Sequence, residues 1–335
     1  MGSAHTPKRG SRGYWHRSRA RSETPRIKAW PETDGAEPYL QGFAGYKVGM
    51  THAHIKDYRP TSTTSGQDVL MPVTIVETPA MKVAGVRAYK RTPYGLETLT
   101  EVWADKLDRF LAKRLPLPTK QDAESKWKLM DDEPLLEDVR VLAYTQPNKV
   151  TGVPKKIPEV MEIRVGGGDL KARIEYAKGL LGKEVEASDV IKAGSMQDVI
   201  GVTTGHGFTG HVKRFGVKLL THKNSKHRRM IGTQGSWHPA WVQATVPNAG
   251  QHGYHQRTDY NKRVLKLGEN GEEINPAGGF PHYGLVRNRY IMFHGSLPGP
   301  QKRLLRFREA IRYHRGVTIE APEIEYVSTQ SKQGV

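Results

Sequence analysis

The sequence predicts a mainly β fold that carries an α+β insertion. Short runs rich in β-branched residues recur along the chain, and Gly- and Pro-rich turn signals separate them. Helical patterns occur only between about residues 105 and 181. Many short strands with such turns are typical of a small barrel or sandwich, so the helices are expected to belong to an insertion.

The first predicted strands precede the insertion. Alternating, glycine-punctuated residues predict a strand with a bulge or tight bend, and β-branched runs predict the strands after it. These strands cover residues 42–58, 69–77, 81–89 and 97–104, with a turn at Thr78-Pro79-Ala80. Asp105 is then a candidate N-cap for a helix that is predicted to end near Leu115.

The insertion contains an acidic stretch, residues 121–138, in which seven carboxylates accompany two lysines. A polyanion would repel this stretch, so we expect it on the solvent side. Strands are predicted over 139–144 and 160–165. Asp169 opens a helical pattern that runs to about Leu181. Strand patterns return over residues 185–202, 263–267, 284–294 and 302–307.

Positive charge is concentrated in two segments of the chain, whose net charge is +18. Residues 1–30 have eight basic side chains and one acid, and residues 199–258 have eight basic side chains and no acid, so together they supply +15. The second segment also has seven of the 14 histidines. Basic and aromatic side chains without acids suit a phosphate backbone and unstacked bases. A solvated basic face is the alternative interpretation.

Both basic segments are poor candidates for independent folding. Residues 1–30 have few large apolar side chains, so burial cannot offset the entropy that ordering costs. Residues 199–258 are Gly-rich and lack periodicity, and a loop of this length is unusual unless a partner orders it. We therefore expect an extended tail that orders on its partner and a large internal binding surface.

Composition excludes several classes of protein. Cysteine is absent, which excludes disulfides, Cys-ligated zinc, iron–sulfur clusters and thiol catalysis. No apolar run approaches the length of a membrane span, and the basic start lacks the apolar run of a secretory signal. The sequence therefore predicts a cytoplasmic protein with a large anionic partner.

Motifs for catalysis or small-molecule binding are incomplete. Gly166-Gly167-Gly168 could cradle a phosphate, but G-x-G-x-x-G and the P-loop are absent, so a plain turn is favoured. His52/His54 and His252/His255 have metal-compatible spacings without a nearby acid, so no metal site is predicted. G-x-S-x-G is absent as well. Neither a cofactor nor an enzymatic activity is expected.

Eight blocks of the sequence share a resemblance. The acid-free run contributes GVTTGHGFTGHVKRFGVK (201–218), IGTQGSWHPAWV (231–242) and GQHGYHQRTDYNKRVLKLG (250–268). The others are GFAGYKVGMTH (42–52), ETPAMKVAGVRAY (77–89), YGLETLTEVWA (94–104), VGGGDL (165–170) and GSLPGPQKRLLRFR (295–308). In this order they resemble the large-subunit ribosomal protein L-three family, and the insertion resembles its archaeal form.

The resemblance implies a structural constituent of the large ribosomal subunit that binds large-subunit rRNA directly. It implies a translation-factor-like small β-barrel, an N-terminal extension and a long rRNA-penetrating loop. It further implies early action in subunit assembly near the 3′-terminal rRNA domain, with proteins of the L-fourteen and L-twenty-four-e families as neighbours. The loop would extend toward the peptidyl-transferase centre, with Trp237 near its tip.

The resemblance and the patterns together predict six regions. They are a basic N-terminal extension (1–40), the first part of the barrel (41–104), the α+β insertion (105–182), barrel strands (183–204), the long basic rRNA-binding loop (205–258), and the completion of the barrel with the C-terminal tail (259–335).

The predicted rRNA-binding residues are basic side chains that neutralise phosphates and aromatic or imidazole side chains that stack on or hydrogen-bond to RNA. They are Lys8, Arg9, Arg12, Arg17, Arg19, Arg21, Arg26, Lys28, Lys213, Arg214, Lys218, Lys223, Lys226, His227, Arg228, Arg229, Trp237, His238, His255 and Arg257. Packing within the loop is the alternative for Trp237, and packing is the favoured role for Trp241.

Two other classes of protein compete with this interpretation. An RNA-modifying enzyme would need a cofactor loop or a catalytic acid near the basic surface, and neither pattern is present. A peripheral membrane protein could use the loose acylation pattern that begins at Met1-Gly2, but the basic segments lack the apolar spacing of an amphipathic helix. We therefore expect no membrane or small-molecule partner.

Overall fold

The computed structural model describes residues 14, 16–33, 35–118, 122–313 and 320–331. Antiparallel sheet dominates these residues, which confirms the prediction of a mainly β fold. The chain divides into two units. We call Met1–Glu23 with Val202–Arg257 the arm unit, and Thr24–Gly201 with Thr258–Val335 the body unit.

The described residues form fifteen strands, four α-helices and three short 3-10 helices. The strands are β1 (Tyr39–Leu40), β2 (Gly42–Lys56), β3 (Asp68–Glu77), β4 (Met81–Thr92), β5 (Gly95–Trp103), β6 (Leu136–Tyr144), β7 (Val160–Gly166), β8 (Glu184–Val185), β9 (Met196–Val202), β10 (Gly205–Thr209), β11 (Gly250–Gly253), β12 (Gln256–Gly268), β13 (Tyr290–His294), β14 (Leu304–Glu309) and β15 (Ile324–Val327). The α-helices are α1 (Ala123–Asp132), α2 (Leu170–Leu180), α3 (Ala187–Val190) and α4 (His211–Phe215). The 3-10 helices are Leu111–Lys113, Pro147–Lys149 and Gly271–Ile274.

One sheet of the body unit closes into a ring. Its strand order is β14-β9-β12-β13-β3-β2-β15, and β14 also pairs with β2. Buried aromatic side chains pack inside it, and the ring centroids of Phe293 and Phe307 are 5.1 Å apart. Because alternate strand residues point to opposite faces, the β-branched runs place one set of side chains in this core.

The other sheet of the body unit has the order β1-β7-β6-β4-β5, with β8 paired to β4. Helix α1 packs against β5 and helix α2 packs against β6. Asp122 caps α1, because its Oδ1 accepts a hydrogen bond from the Ser125 amide at 3.1 Å. Buried side chains of both sheets belong to one continuous hydrophobic cluster, so the two sheets share a core.

A buried ion pair links strands of the ring. Arg308 on β14 contacts Asp198 on β9, with 3.0 Å between Arg308 Nη2 and Asp198 Oδ2, and the two side chains are 7% and 0% exposed. Asp198 also accepts hydrogen bonds from the amides of Asn261 and Ile311. These bonds satisfy most of the acceptor capacity of the carboxylate, as a buried charge requires.

Part of the N-terminal segment packs on the body unit, although the sequence predicts a tail that orders only on its partner. Ile27 and Trp30 contact the hydrophobic core. Arg308 Nη1 donates to the Ala29 carbonyl at 2.7 Å, and Gln41 Nε2 donates to the Pro31 carbonyl at 3.0 Å. The burial of these two apolar side chains and the hydrogen bonds to the two backbone carbonyls therefore offset the entropy that ordering costs. The stretch forms neither helix nor strand.

The predicted helix from Asp105 to Leu115 is wrong, because only the 3-10 turn at Leu111–Lys113 forms there. Contacts with the sheet hold this segment in an irregular path. Asp108 accepts hydrogen bonds from Lys82 Nζ at 3.0 Å and from the Tyr144 hydroxyl at 2.6 Å. Tertiary contacts thus override the local helical pattern.

Two predicted strands are broken or shortened. The segment 185–202 divides into β8, α3 and β9, because Glu186 and Asp189 form a capping box and Gly194 turns the chain at a φ of 83°. The segment 284–294 is a strand only from Tyr290 onward. Its earlier residues instead surround buried Glu77, whose Oε1 accepts hydrogen bonds from the amide and side chain of Asn288.

Other sequence predictions are confirmed. Helix α2 matches the predicted helix from Asp169, and Gly167 and Gly168 turn the chain at φ values of 73° and 57°. The acidic stretch 121–138 includes the unpredicted helix α1, and most of its described carboxylates are exposed. Glu133 is half-buried, and Asp138 is buried and pairs with Arg140 and Arg164.

Candidate nucleic-acid interface

A two-stranded antiparallel sheet forms the base of the arm unit. Strand β10 pairs with β11, and a bulge interrupts the register between Gly205 and Phe208. Gly253 has a φ of 72°, and a Cβ there would collide with the Thr204 carbonyl oxygen. Only glycine allows this close approach of the two strands.

Helix α4 follows β10 and ends at Phe215, where Gly216 caps it with a φ of 64°. Arg214 on this helix contacts the returning chain, because its Nε donates to the Gln251 carbonyl at 3.0 Å and its Nη1 to the Asn248 carbonyl at 2.9 Å. Burial lowers the pKa of Arg214, and nearby Arg17 lowers it further. Arg214 therefore holds the two ends of the long loop together.

The N-terminal segment contacts this base within the arm unit. The Ala20 amide donates to the Tyr254 carbonyl at 2.8 Å. The guanidinium of Arg17 lies 4.6 Å from the ring centroid of Phe215, and that of Arg257 lies 4.2 Å from the ring centroid of Tyr14. The two basic segments, which residues 31–198 separate in the sequence, are thus brought together.

Two histidines are part of this base. His255 is buried, and its Nδ1 lies 2.9 Å from the Ser18 carbonyl oxygen. The ring centroids of His252 and His206 are 4.8 Å apart. Burial lowers the pKa of both His255 and His252, and His206 adds to the lowering at His252. The structure therefore gives His255 a packing role, and its contact with RNA stays a prediction.

We expect the arm unit to lose stability as the pH falls from 7.5 to 5.5. Folding depresses the pKa of His252 and His255, so the unfolded segment takes up protons near its ordinary histidine pKa while the folded segment resists them. This loss of stability is absent above the ordinary histidine pKa and grows as the pH falls below it. Hydrogen exchange of β10 and β11, corrected for intrinsic rates, measures the effect.

Strand β6 provides the control for this measurement, since it has no histidine. Its protection should fall less than that of β10 and β11 over the same pH range. Equal changes in the two regions, or none in the arm unit, would contradict the expectation.

The segment between α4 and β11 is an exposed loop without helix or strand. Residues 221–230 are all exposed, and Met230 is 56% exposed although it is apolar. Among the described residues, no acid lies within ion-pair distance of the basic side chains of this run. One exposed predicted binding residue, Lys213, lies on α4. Those exposed on the loop are Lys218, Lys223, Lys226, His227, Arg228, Arg229, Trp237 and His238.

Large aromatic side chains stand in solvent on the same unit. Trp237 is 87% exposed, Trp241 72% and Phe208 78%. The packing role expected for Trp241 is therefore wrong within the protein. Phe208 was not among the predicted binding residues, although its position between glycines of an acid-free run was the available signal. Exposed aromatic faces of this kind can stack on nucleic-acid bases.

The remaining predicted residues fall into three groups. Arg17, Arg214 and Arg257 are half-buried in the base of the arm unit. Arg19 and Arg21 are exposed in that unit, while Arg26 and Lys28 are exposed in the body unit. Lys8, Arg9 and Arg12 lie outside the described residues.

The described part of the chain contains neither a metal-ligating cluster nor a membrane-spanning helix. No group of three or more His, Cys, Asp or Glu side chains there could hold a metal ion. None of the helices described is both long enough and apolar enough to cross a bilayer.

Comparisons with known proteins agree on one family. The family model "Ribosomal protein L3" matches residues 1–334. The chain is 50% identical to "Large ribosomal subunit protein uL3" of Methanosphaerula palustris, over 100% of both chains. It is 53% identical to the protein of that name from Archaeoglobus fulgidus, covering 98% of this chain and 99% of the relative. For the Methanocaldococcus jannaschii protein the identity is 49%, over 98% of both.

Proposed function

The chain belongs to the ribosomal protein L3 family, and from this premise we propose that its arm unit binds large-subunit rRNA directly. As a member of this family it is a structural, non-enzymatic protein of the large ribosomal subunit. The exposed acid-free loop is the observation that carries the proposal. Ten consecutive exposed residues, four of them Lys or Arg, bury too little apolar surface to become ordered without a partner.

Unpartnered polar atoms at the base of the loop support the same proposal. Within the described residues, His211 Nε2, His252 Nδ1 and Thr209 Oγ1 are buried without a hydrogen-bond partner. Buried polar groups are nearly always hydrogen-bonded, so the arm unit has unused donors and acceptors beside its basic surface. Because these atoms are buried, the base would have to rearrange on rRNA before phosphate or 2′-hydroxyl oxygens satisfied them.

The finer assignments follow from the family resemblance and belong to the same proposal. We assign the ring-shaped sheet as a translation-factor-like β-barrel, residues 105–182 as its insertion and residues 205–258 as the rRNA-penetrating loop. The protein would act early in assembly near the 3′-terminal rRNA domain and contact L-fourteen and L-twenty-four-e family proteins. The loop would extend toward the peptidyl-transferase centre.

Binding of the full chain to a transcript of the 3′-terminal large-subunit rRNA domain tests the function. Filter binding from 50 to 500 mM KCl should give a steep linear fall of log K with log salt, because neutralised phosphates release counterions. An unrelated transcript of the same length is the control, and it should bind more weakly at every salt concentration. A shallow slope, or equal binding of both transcripts, would contradict direct and specific rRNA binding.

Replacing Trp237 by alanine should leave subunits assembled but slow peptide transfer. The side chain is 87% exposed, so its loss should change the free energy of unfolding by less than about 0.5 kcal/mol. A loop that extends toward the catalytic centre would lose a stacking surface there. Sedimentation profiles and single-turnover peptide transfer measure the two effects.

Trp237→Phe is the matched control, because it keeps an aromatic face and should retain most of the activity. Peptide transfer and drug sensitivity like those of the wild type in Trp237→Ala subunits would refute this role. A defect in assembly would instead assign Trp237 to packing of the loop.

A further inference from the structure

The body unit contains a cavity of about 510 Å³ with an unusual charge. Five guanidinium groups line it, from Arg26, Arg87, Arg114, Arg140 and Arg306. Arg26 stands on the N-terminal segment, Arg87 and Arg140 on adjacent strands β4 and β6, and Arg306 on β14. The volume lies in the range of pockets that hold a small ligand.

A single carboxylate, that of Glu162, lines the described wall of the cavity, and two arginines already share it. Arg87 Nη1 bonds to its Oε1, and Arg140 Nη1 lies 3.2 Å from its Oε2. The Tyr89 hydroxyl also donates to Oε2 at 2.9 Å. Three of the arginines also pair with carboxylates outside the wall, Arg87 with Glu101, Arg140 with Asp138 and Arg114 with Glu159. Five guanidinium groups therefore meet four carboxylates, and the cluster keeps a net positive charge.

Arg306 is the most buried of these groups, with 8% of its surface exposed. Its Nη2 donates to the Val160 carbonyl at 2.7 Å, but its Nε has no acceptor among the described residues. No described carboxylate lies within 4 Å of this guanidinium. Burial accordingly lowers the pKa of Arg306 to about 10. Glu159 and Glu162 counteract this lowering only in part, so an anion that entered the cavity would offset the remaining cost of burying the charge.

Two tryptophans, Trp30 and Trp103, complete the wall. The Trp30 ring packs on Gly42, where a Cβ would stand 2.8 Å from it. Hydrogen bonds to the carbonyls of Ala29 and Pro31 hold the backbone on both sides of Trp30. Both indoles are partly exposed, so each can offer a fixed apolar face to a planar ligand.

We propose that this cavity binds one unstacked RNA nucleotide, with its base on the indoles and its phosphate on the arginines. The proposal rests on the proposed function and adds a second RNA contact, in the body unit. A protein carboxylate would need one guanidinium fork and no indole, whereas a nucleotide uses both the aromatic faces and the cluster of positive charge. An aromatic face can stack on a base, and a guanidinium group can donate two hydrogen bonds to a phosphate; the cavity contains both kinds of group.

Titration of the full chain with adenosine 5′-monophosphate at constant ionic strength tests the proposal. Calorimetry should show saturable binding that is tighter than that of adenosine or of inorganic phosphate alone. Arg26→Ala and Trp30→Leu should each weaken it by about tenfold, the loss expected for one charged contact or one stacked base. Arg91→Ala is the matched control, because Arg91 is exposed near the end of β4, does not line the cavity and pairs with Glu137.

Arg306→Lys tests the buried arginine, because lysine keeps the positive charge but cannot donate two parallel hydrogen bonds to one phosphate. Arg26 is exposed, so Arg26→Ala keeps the test valid even where the buried variant fails to fold. Absent binding, or binding that these variants leave unchanged, overturns the proposal. Equal binding of a capped Glu-Glu dipeptide also overturns it, because the occupant would then be an acidic protein segment.

Binding to the rRNA transcript is measured in parallel, so that the two proposals fail separately. Arg228→Ala with Arg229→Ala should reduce transcript binding and leave the affinity for adenosine monophosphate unchanged. Transcript binding without nucleotide binding overturns the cavity assignment alone. Nucleotide binding without transcript binding overturns the proposed function, and with it the assignment of the cavity to RNA.

Discussion

Replacing Asp198 by alanine should lower the free energy of unfolding by about 3–5 kcal/mol, the cost of leaving one partner of a buried ion pair unpaired. Arg308 would keep its charge at 7% exposure without the carboxylate that lies 3.0 Å away. The amides of Asn261 and Ile311 would also lose their acceptor. Urea unfolding of the full chain, followed by far-UV circular dichroism, measures the loss.

Glu97→Ala is the matched control for this substitution. It changes the net charge by the same amount, but Glu97 is 62% exposed and lies 3.7 Å from Lys90, so about 0–1 kcal/mol is expected. A shift for Asp198→Ala no larger than the control would show that the pair contributes little to the ring. Asp198→Asn should fall between the two, because it keeps an acceptor but not the charge.

The double substitution Arg228→Ala and Arg229→Ala should reduce the salt dependence of rRNA binding. Both side chains are exposed on the loop, and no described acid lies within ion-pair distance of them. If each neutralises one phosphate, the slope of log K against log salt should become shallower by about 1.4–1.8. Filter binding of the full chain to the rRNA transcript at several salt concentrations measures the slope.

Lys90→Ala with Arg91→Ala is the corresponding control, because it removes two charges from a hairpin that lies beside acids. These residues pair with Glu97 and Glu137, so the slope should change little. The circular dichroism spectrum should be that of the wild type for both double variants. An unchanged slope for the loop variant would assign the phosphate contacts to other residues.

Sequence patterns predicted the strands best where one core dominates. Strands β2, β3, β4 and β7 begin and end close to their predicted bounds, because β-branched residues meet a shared hydrophobic cluster there. Predictions failed where a single long-range contact decides the backbone. The segment predicted as a helix from Asp105 is irregular, because Lys82 and Tyr144 hydrogen-bond to Asp108. The first residues of the predicted strand 284–294 form a loop, because Asn288 hydrogen-bonds to Glu77.

The candidate interface divides in the same way. The acid-free basic run identified the exposed loop from residue order alone, since charge density and missing apolar periodicity are properties of the sequence. The sequence did not separate side chains that face solvent from those that hold the loop. Arg214, His255 and Arg257 contact other parts of the arm unit. The side chains of Trp241 and Phe208 are exposed to solvent.

Residue order by itself determined the β class of the chain, its two cationic segments and its resemblance to a ribosomal family, because each is a local or additive property of the residues. Only the tertiary structure decided that β14 closes the sheet into a ring, that residues 16–20 meet the base of the loop, and that Arg306 and Trp30 share a cavity. Those features depend on contacts between residues more than a hundred positions apart, and no short-range pattern encodes such pairings.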